Sequence, residues 1–339
     1  MANEVFSVQS ATGSSHICLA FEPMRDPLWL LRNRVCDERV TRDWLPIFKI
    51  YIQILIEGLD YLHSECKLVH TGISFFSVAH FVPTSVKLKF ADLKLDNILM
   101  TFENQSVLEA FVQAEKSHPM AQKVVDGRII YRCHNNFGDI IDQSSVKKMY
   151  PKITDFGLAQ PADRSNHPIQ PDHCHAPEVL LGTSWSYPAD IWNFGIMVWD
   201  LLAGRKLFQG DVSSTKPYSP AQHLAEMIAI LGPVPDALVR REQQMRCWQW
   251  SPPIHNAQGK LCSNASEYFG GPFFAESGKF VREELIPYSR TLADEVPECI
   301  PEQDRDNFLA FMRRMLCWLP EERLTAKELK DDPWFAVRL

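Results

Sequence analysis

The sequence predicts an α+β fold in which a small strand region precedes a mostly helical bulk, and three observations lead there. Short apolar runs crowd the first half, at residues 16–22, 67–69, 97–100 and 152–154. From Pro188 onward apolar residues recur at helical spacing, through 191–202, 223–231 and 306–319. The 339 residues are 45% hydrophobic, enough to bury a core of one large domain or two small ones.

Taken in order, residues 16–22 (HICLAFE) read as a buried strand ended by Pro23. Asp26-Pro27 reads as a helix cap followed by proline at the first helical position, opening a short helix through Trp29, Leu30 and Leu31. Asp43 starts a longer helix to about His63. Its apolar face carries Ile47, Ile50, Tyr51, Ile54, Leu55, Gly58, Leu59 and Leu62. Lys49, Gln53, Glu57 and Asp60 interrupt that stretch, so it reads as an amphipathic helix of a globule and not as a membrane span. Residues 102–148 and 233–285 are polar and read as irregular insertions or long loops.

Composition narrows the function classes. A net charge of -7 argues against a nucleic-acid binder, which usually carries basic excess. The nine cysteines include no C-x-x-C pair and suit neither a zinc site nor a disulfide framework. They are expected to be reduced thiols of a cytoplasmic or nuclear protein. No basic stretch followed by an apolar one opens the chain, so no signal peptide is expected.

Four segments fall in one order: Leu68-Val69-His70-Thr71, Asp92-Leu93-Lys94-Leu95-Asp96-Asn97, Asp155-Phe156-Gly157 and Ala176-Pro177-Glu178. Phosphoryl transfer from ATP asks for this set. Asp92 would accept the proton of a substrate hydroxyl, and Lys94 would neutralise charge on the migrating group. Asn97 and Asp155 offer the hard oxygen ligands that Mg²⁺ prefers. Any one segment alone is commonly chance; their order is what carries the reading. Downstream, Asp190-Ile191-Trp192-Asn193-Phe194-Gly195 and Pro320-Glu321-Glu322-Arg323 add to it.

On these motifs the chain, from about residue 16 to 336, resembles the eukaryotic serine/threonine protein kinases. It is most similar to the SR-protein kinases and their fungal relatives, whose catalytic motif reads H-T-D, as His70-Thr71 leads here to Asp92. The spacer at 102–148 and the helix of His223-Leu224 to Leu231-Gly232 fit the same group. The resemblance implies a kinase fold: residues 1–24 as a remnant of the upper-lobe strands and hinge, and 25–339 as the lower lobe. It implies a nucleotide hinge at Glu22 and Met24 over a floor at Leu99, and an ion pair between Glu178 and Arg323. It also implies a protein substrate, possibly arginine/serine-rich, without direct nucleic-acid or membrane contact. Thr71 in place of arginine removes the cation that would dock a phosphorylated loop. Between Asp155 and Glu178 the hydroxyl side chains reduce to Ser165, so switching by loop phosphorylation is not expected.

Two departures qualify the resemblance. None of the fifteen glycines is arranged G-x-G, and neither the phosphate-gripping lysine nor its glutamate partner can be assigned. The polypeptide by itself is therefore expected to transfer little phosphate, which leaves two further readings: an inactive kinase-fold binding protein, or an imperfect gene model of an active kinase. Second, residues 72–91 (GISFFSVAHFVPTSVKLKFA) separate Thr71 from Asp92. A retained intron splitting the Asp92 codon after its first base would read GGT first, giving Gly72; its terminal AG would close the Ala91 codon as GCA and supply the first base of the Asp92 codon. The alternative is a genuine insertion. Its apolar residues and the open edges of the first strand predict self-association.

Overall fold

The computed structural model describes residues 2–10, 13–70, 93–132, 134, 136–138, 143–162, 166–210 and 217–336. Thr71, the 72–91 stretch, Asp92 and Ser165 lie outside the described residues.

The chain opens with an antiparallel ribbon, β1 (Glu4–Gln9) on β2 (Ser15–Ala20), in which Val5 faces Leu19 and Ser7 faces Ile17. The strand expected at 16–22 exists, but it is not buried: Ile17 is 77% exposed and Leu19 55% exposed. The apolar run reflects a ribbon that covers no core among the described residues, which periodicity alone cannot distinguish from a buried strand.

Helix α1 (Leu28–Cys36) and α2 (Leu45–Ser64) follow, close to their predicted bounds. Leu28, Leu31 and Cys36 of α1 and Ile47, Leu55 and Leu59 of α2 enter the core, yet the buried face of α2 is rotated from the expected one. Ile50 is exposed, whereas Phe48, Ile52 and Ile56 are buried. Lys49 explains the rotation: it is buried, donates from Nζ to the Trp334 carbonyl at 2.8 Å and lies over that indole ring. Its stem packs as a hydrophobe while its charge finds a partner.

Four short strands frame the centre: β3 (Leu68–Val69), β4 (Ile98–Met100), and, after the spacer, β7 (Pro151–Ile153) and β8 (Gln160–Pro161). The pairs are antiparallel, β4 with β7 and β3 with β8. The spacer between them is more ordered than its polarity suggested. It holds α3 (Gln105–Ser117), an exposed hairpin of β5 (Gln122–Val125) and β6 (Arg128–Tyr131), and the short α4 (Gln143–Val146). Asp126 and Gly127 both take positive φ (51° and 77°), the two-residue turn for which Asp-Gly is suited. That dipeptide between Val124-Val125 and Ile129-Ile130 was the available signal.

The helical bulk comprises α5 (Pro177–Leu180), α6 (Tyr187–Ala203), α7 (Pro220–Leu231), α8 (Asp236–Met245), α9 (Ala265–Phe269), α10 (Arg305–Met315) and α11 (Ala326–Leu329). Residues 233–285, expected to be irregular, thus contain α8, α9 and a two-stranded pair, β9 (Ile254–His255) with β10 (Leu261–Cys262). α8 was hidden because its core face is narrow: Leu238, Val239 and Glu242 alone are buried. α6 is the central rod, with Trp192, Phe194, Trp199, Leu201 and Leu202 all buried. It ends at Gly204 (φ 67°), where a Cβ would stand 2.4 Å from the Glu38 carbonyl oxygen, so the chain needs glycine there.

Candidate active site

The site is built on a set of main-chain bonds that draw the sequence motifs together. Asp190, in the first turn of α6, accepts from the backbone N–H of His70 at 2.8 Å. It also pairs with His63 Nε2 of α2 at 2.9 Å. The His70 ring then bonds the carbonyl of Thr154 through Nε2 at 3.0 Å, so Nε2 carries the proton and donates. Thr154 closes the set: its N–H and its hydroxyl both donate to the Asn97 carbonyl, at 2.9 and 2.8 Å. Asn97 and Asp155 therefore sit on adjoining backbone, at the end of the β4–β7 ladder. The Phe156 ring meets His70 edge-on at 5.1 Å between centroids.

Asp155 is exposed and held at φ 64°, a left-handed conformation that Asp tolerates better than most residues. The Asp155 carboxylate and the Asn97 amide, carried on adjoining backbone, offer the hard oxygens that Mg²⁺ takes. Lys94 is half-buried and lines a cavity of about 360 Å³ with Leu93, Asp96, His173, Asp200 and Lys206. Burial pushes the Asp200 carboxyl up to about 7, against the lowering pull of the Leu207 N–H, Lys206 and Arg32. Asp92 lies outside the described residues.

The chain just after Glu22-Pro23-Met24 runs beside β4. The Arg25 N–H donates to the Met100 carbonyl at 2.7 Å, the Met100 N–H donates to the Asp26 carbonyl at 3.1 Å, and Pro27 bridges to Leu99. This places Leu99 half-buried directly against the linker. Glu22 and Met24 precede the paired stretch, and the Glu22 carboxylate is engaged by Lys152 Nζ at 2.5 Å. Arg25, which carries no sequence signal, is buried. It donates from Nη2 to the Gly138 carbonyl at 2.8 Å and lies 3.4 Å from Glu103, joining linker to spacer.

The pair expected between Glu178 and Arg323 is present, two-pronged at 2.6 and 2.7 Å with both side chains fully buried. Arg323 also donates to the Cys317 and Pro188 carbonyls and lies over the Trp192 ring. Glu178 lies in the first turn of α5, so the pair anchors the end of the segment that starts at Asp155. The other anchors of this segment were not legible. Gln170 spans from the Ala189 carbonyl, through its Nε2, to the Ala176 N–H, through its Oε1. His175 bonds Tyr218, and Tyr218 bonds His223.

Comparison with known proteins agrees with this geometry. The protein kinase domain family matches residues 135–335, more than half of the chain. The chain belongs to the protein kinase family. This kinase-family chain is 29% identical, over 99% of its length and 68% of the relative's, to a serine/threonine protein kinase of Aspergillus fumigatus. It is 26% identical to the serine/threonine-protein kinase SRPK of Physarum polycephalum, over 95% of this chain and 67% of that one. To AFC3 of Arabidopsis thaliana it is 27% identical, over 95% and 64% respectively. It spans about two-thirds of these relatives. A crystal structure of a kinase domain superposes with a TM-score of 0.56 at 21% identity, over 98% of this chain and 77% of that one, which shows the shared fold. Among the described residues no helix is long and apolar enough to cross a membrane.

Proposed function

We propose that this chain carries the residues by which the γ-phosphoryl group of ATP, with Mg²⁺, passes to serine or threonine hydroxyls of protein substrates, arginine/serine-rich ones included, the polypeptide by itself transferring little for want of an assigned phosphate-gripping lysine. One observation carries the reading: the His70–Asp190 and Thr154–Asn97 bonds join the loop that bears Lys94 and Asn97 to the strand end that bears Asp155. In this reading Asp92 takes the proton of the attacking hydroxyl. The hydroxyl oxygen bonds the γ-phosphorus as the bond to the β–γ bridging oxygen breaks, and ADP leaves. Lys94 offsets charge on the group in transit. Asn97 and Asp155 hold Mg²⁺, which when bound neutralises the phosphates. Glu22 and Met24 offer linker backbone to the adenine, and Leu99 its floor. Reduced thiols suit a cytoplasmic or nuclear site of action, and the eight described cysteines form no disulfide among themselves.

A second reading, a kinase-fold binding protein, is favoured by the ribbon at the chain's start, whose β1 residues are all exposed. One experiment separates the two. Phosphate from γ-labelled ATP is followed into an arginine/serine-repeat peptide and into an arginine-poor serine peptide, for the chain and for Asp92→Ala. Incorporation that falls about 100-fold or more in the variant supports transfer. Peptide binding without incorporation by either protein supports the second reading.

A further inference from the structure

Two buried histidines and a half-buried tyrosine outside the motifs form a hydrogen-bonded relay. His175 Nδ1 lies 3.0 Å from the Tyr218 hydroxyl, and the same hydroxyl lies 2.7 Å from His223 Nδ1. They come from three segments: the turn before α5, the stretch before α7, and α7 itself. Both imidazoles are buried, at 4% and 0% exposure. The Tyr218 ring is fixed in turn over Gly210, where a Cβ would meet it at 2.6 Å.

A phenol has one proton. It donates that proton to the bare Nδ1 of one imidazole and accepts an N–H from the other, so the two histidines must hold opposite tautomers. Two neutral imidazoles facing each other without the hydroxyl would bury unsatisfied nitrogens. The relay also reaches the candidate site. His173 and Cys174, directly before His175, line the cavity that holds Lys94, Asp96 and Asp200.

We propose that Tyr218 is a positioning residue: by tying His175 to His223 it fixes residues 172–176, of which His173 and Cys174 wall the cavity that Lys94 also lines. The part that concerns Lys94 rests on the function proposed above; the tether itself does not. Asp172, Cys174 and Glu226 face Tyr218, with Lys94 and Lys206 beyond His173. Burial holds His175 down to about 3 and His223 well below its ordinary value, so both are neutral in the closed relay.

The test is amide hydrogen exchange of residues 170–176 in the full chain. Tyr218→Phe keeps the ring and removes the hydroxyl, and exchange there should rise roughly tenfold or more. Tyr51→Phe, which loses a bond to the Val146 carbonyl elsewhere, serves as the control for global destabilisation. A rise no greater than the control's overturns the proposal. In the wild type, opening takes up protons at both histidines, so protection should fall with decreasing pH below about 6.5. His223→Leu should make that fall shallower by about one power of ten per pH unit, because the groups other than His223 are common to both proteins. An unchanged slope refutes the relay, and this arm stands even if Tyr218→Phe does not fold. The pair of variants together should cost no more than the larger single effect. No phosphate transfer is measured, so an inactive chain leaves the tether intact, and an unchanged Tyr218→Phe refutes it in an active one.

Discussion

Removing one partner of the Glu178–Arg323 pair should be among the costliest single changes in this protein. Both side chains are fully buried and meet through two bonds, at 2.6 and 2.7 Å. Glu178→Gln leaves a buried guanidinium facing a neutral amide, and Arg323→Met leaves a buried carboxylate. Breaking such a pair costs about 3–5 kcal/mol, because the orphaned charge cannot recover its hydration. Arg323→Met should be the worse of the two, since the Cys317 and Pro188 carbonyls lose their donor as well. With a urea slope of about 1–3 kcal/mol per molar, the unfolding midpoint should drop by at least about 1 M. Arg241–Glu321 is the internal comparison, with side chains 41% and 52% exposed, and its loss should cost under about 1 kcal/mol. The assay is urea unfolding of the two single variants and the double variant. The singles should exceed the exposed-pair variant several-fold, and the double should cost clearly less than their sum. Additive singles of about 1 kcal/mol or less would refute the reasoning, because they would mean water reaches the pair.

Acid should weaken the fold through His175 and His223. Their folded-state values lie below the unfolded 6.5, so their contribution is present above about pH 6.5 and is lost as pH falls. At pH 5 each unfolded imidazole gains about 2 kcal/mol from protonation, so these two rings together should take away about 4 kcal/mol between pH 7 and pH 5, offset in part by Asp200, whose raised carboxyl takes up its proton in the folded state over the same window. A wild-type fall no steeper than that of His223→Leu across this range would contradict the burial of these rings. At the level of the message, we propose that 72–91 is intronic. Spliced transcripts should then join Thr71 directly to Asp92, and the shorter product should scatter less light than the full chain; a glycine codon other than GGT at Gly72, or no spliced form, would end that proposal.

Much of this molecule could be read from its residues, for identifiable reasons. Helices α2, α6, α7 and α10 follow from apolar repeats long enough to fix a period. The motifs around His70, Asn97 and Asp155 are contiguous, so their chemistry is spelled in neighbouring letters. The Glu178–Arg323 pair was also within reach, because a family resemblance links two distant positions that composition alone would not join. The hairpin at Val125-Asp126-Gly127-Arg128 carries its own local signal, an Asp-Gly turn, within the polarity of the spacer.

What tertiary structure decided is what depends on faces and partners. Whether the strand at Ser15–Ala20 is covered is a matter of what packs on it, and its alternation of residues is the same either way. The rotation of α2 that exposes Ile50 and buries Lys49 depends on Trp334, 285 residues away. The Tyr218 hydroxyl bonds two buried imidazoles brought in from other segments, although in sequence it is an ordinary tyrosine beside a serine. Periodicity reports how a segment divides its own surface; the identity of the group that meets that surface is fixed by the folded chain as a whole.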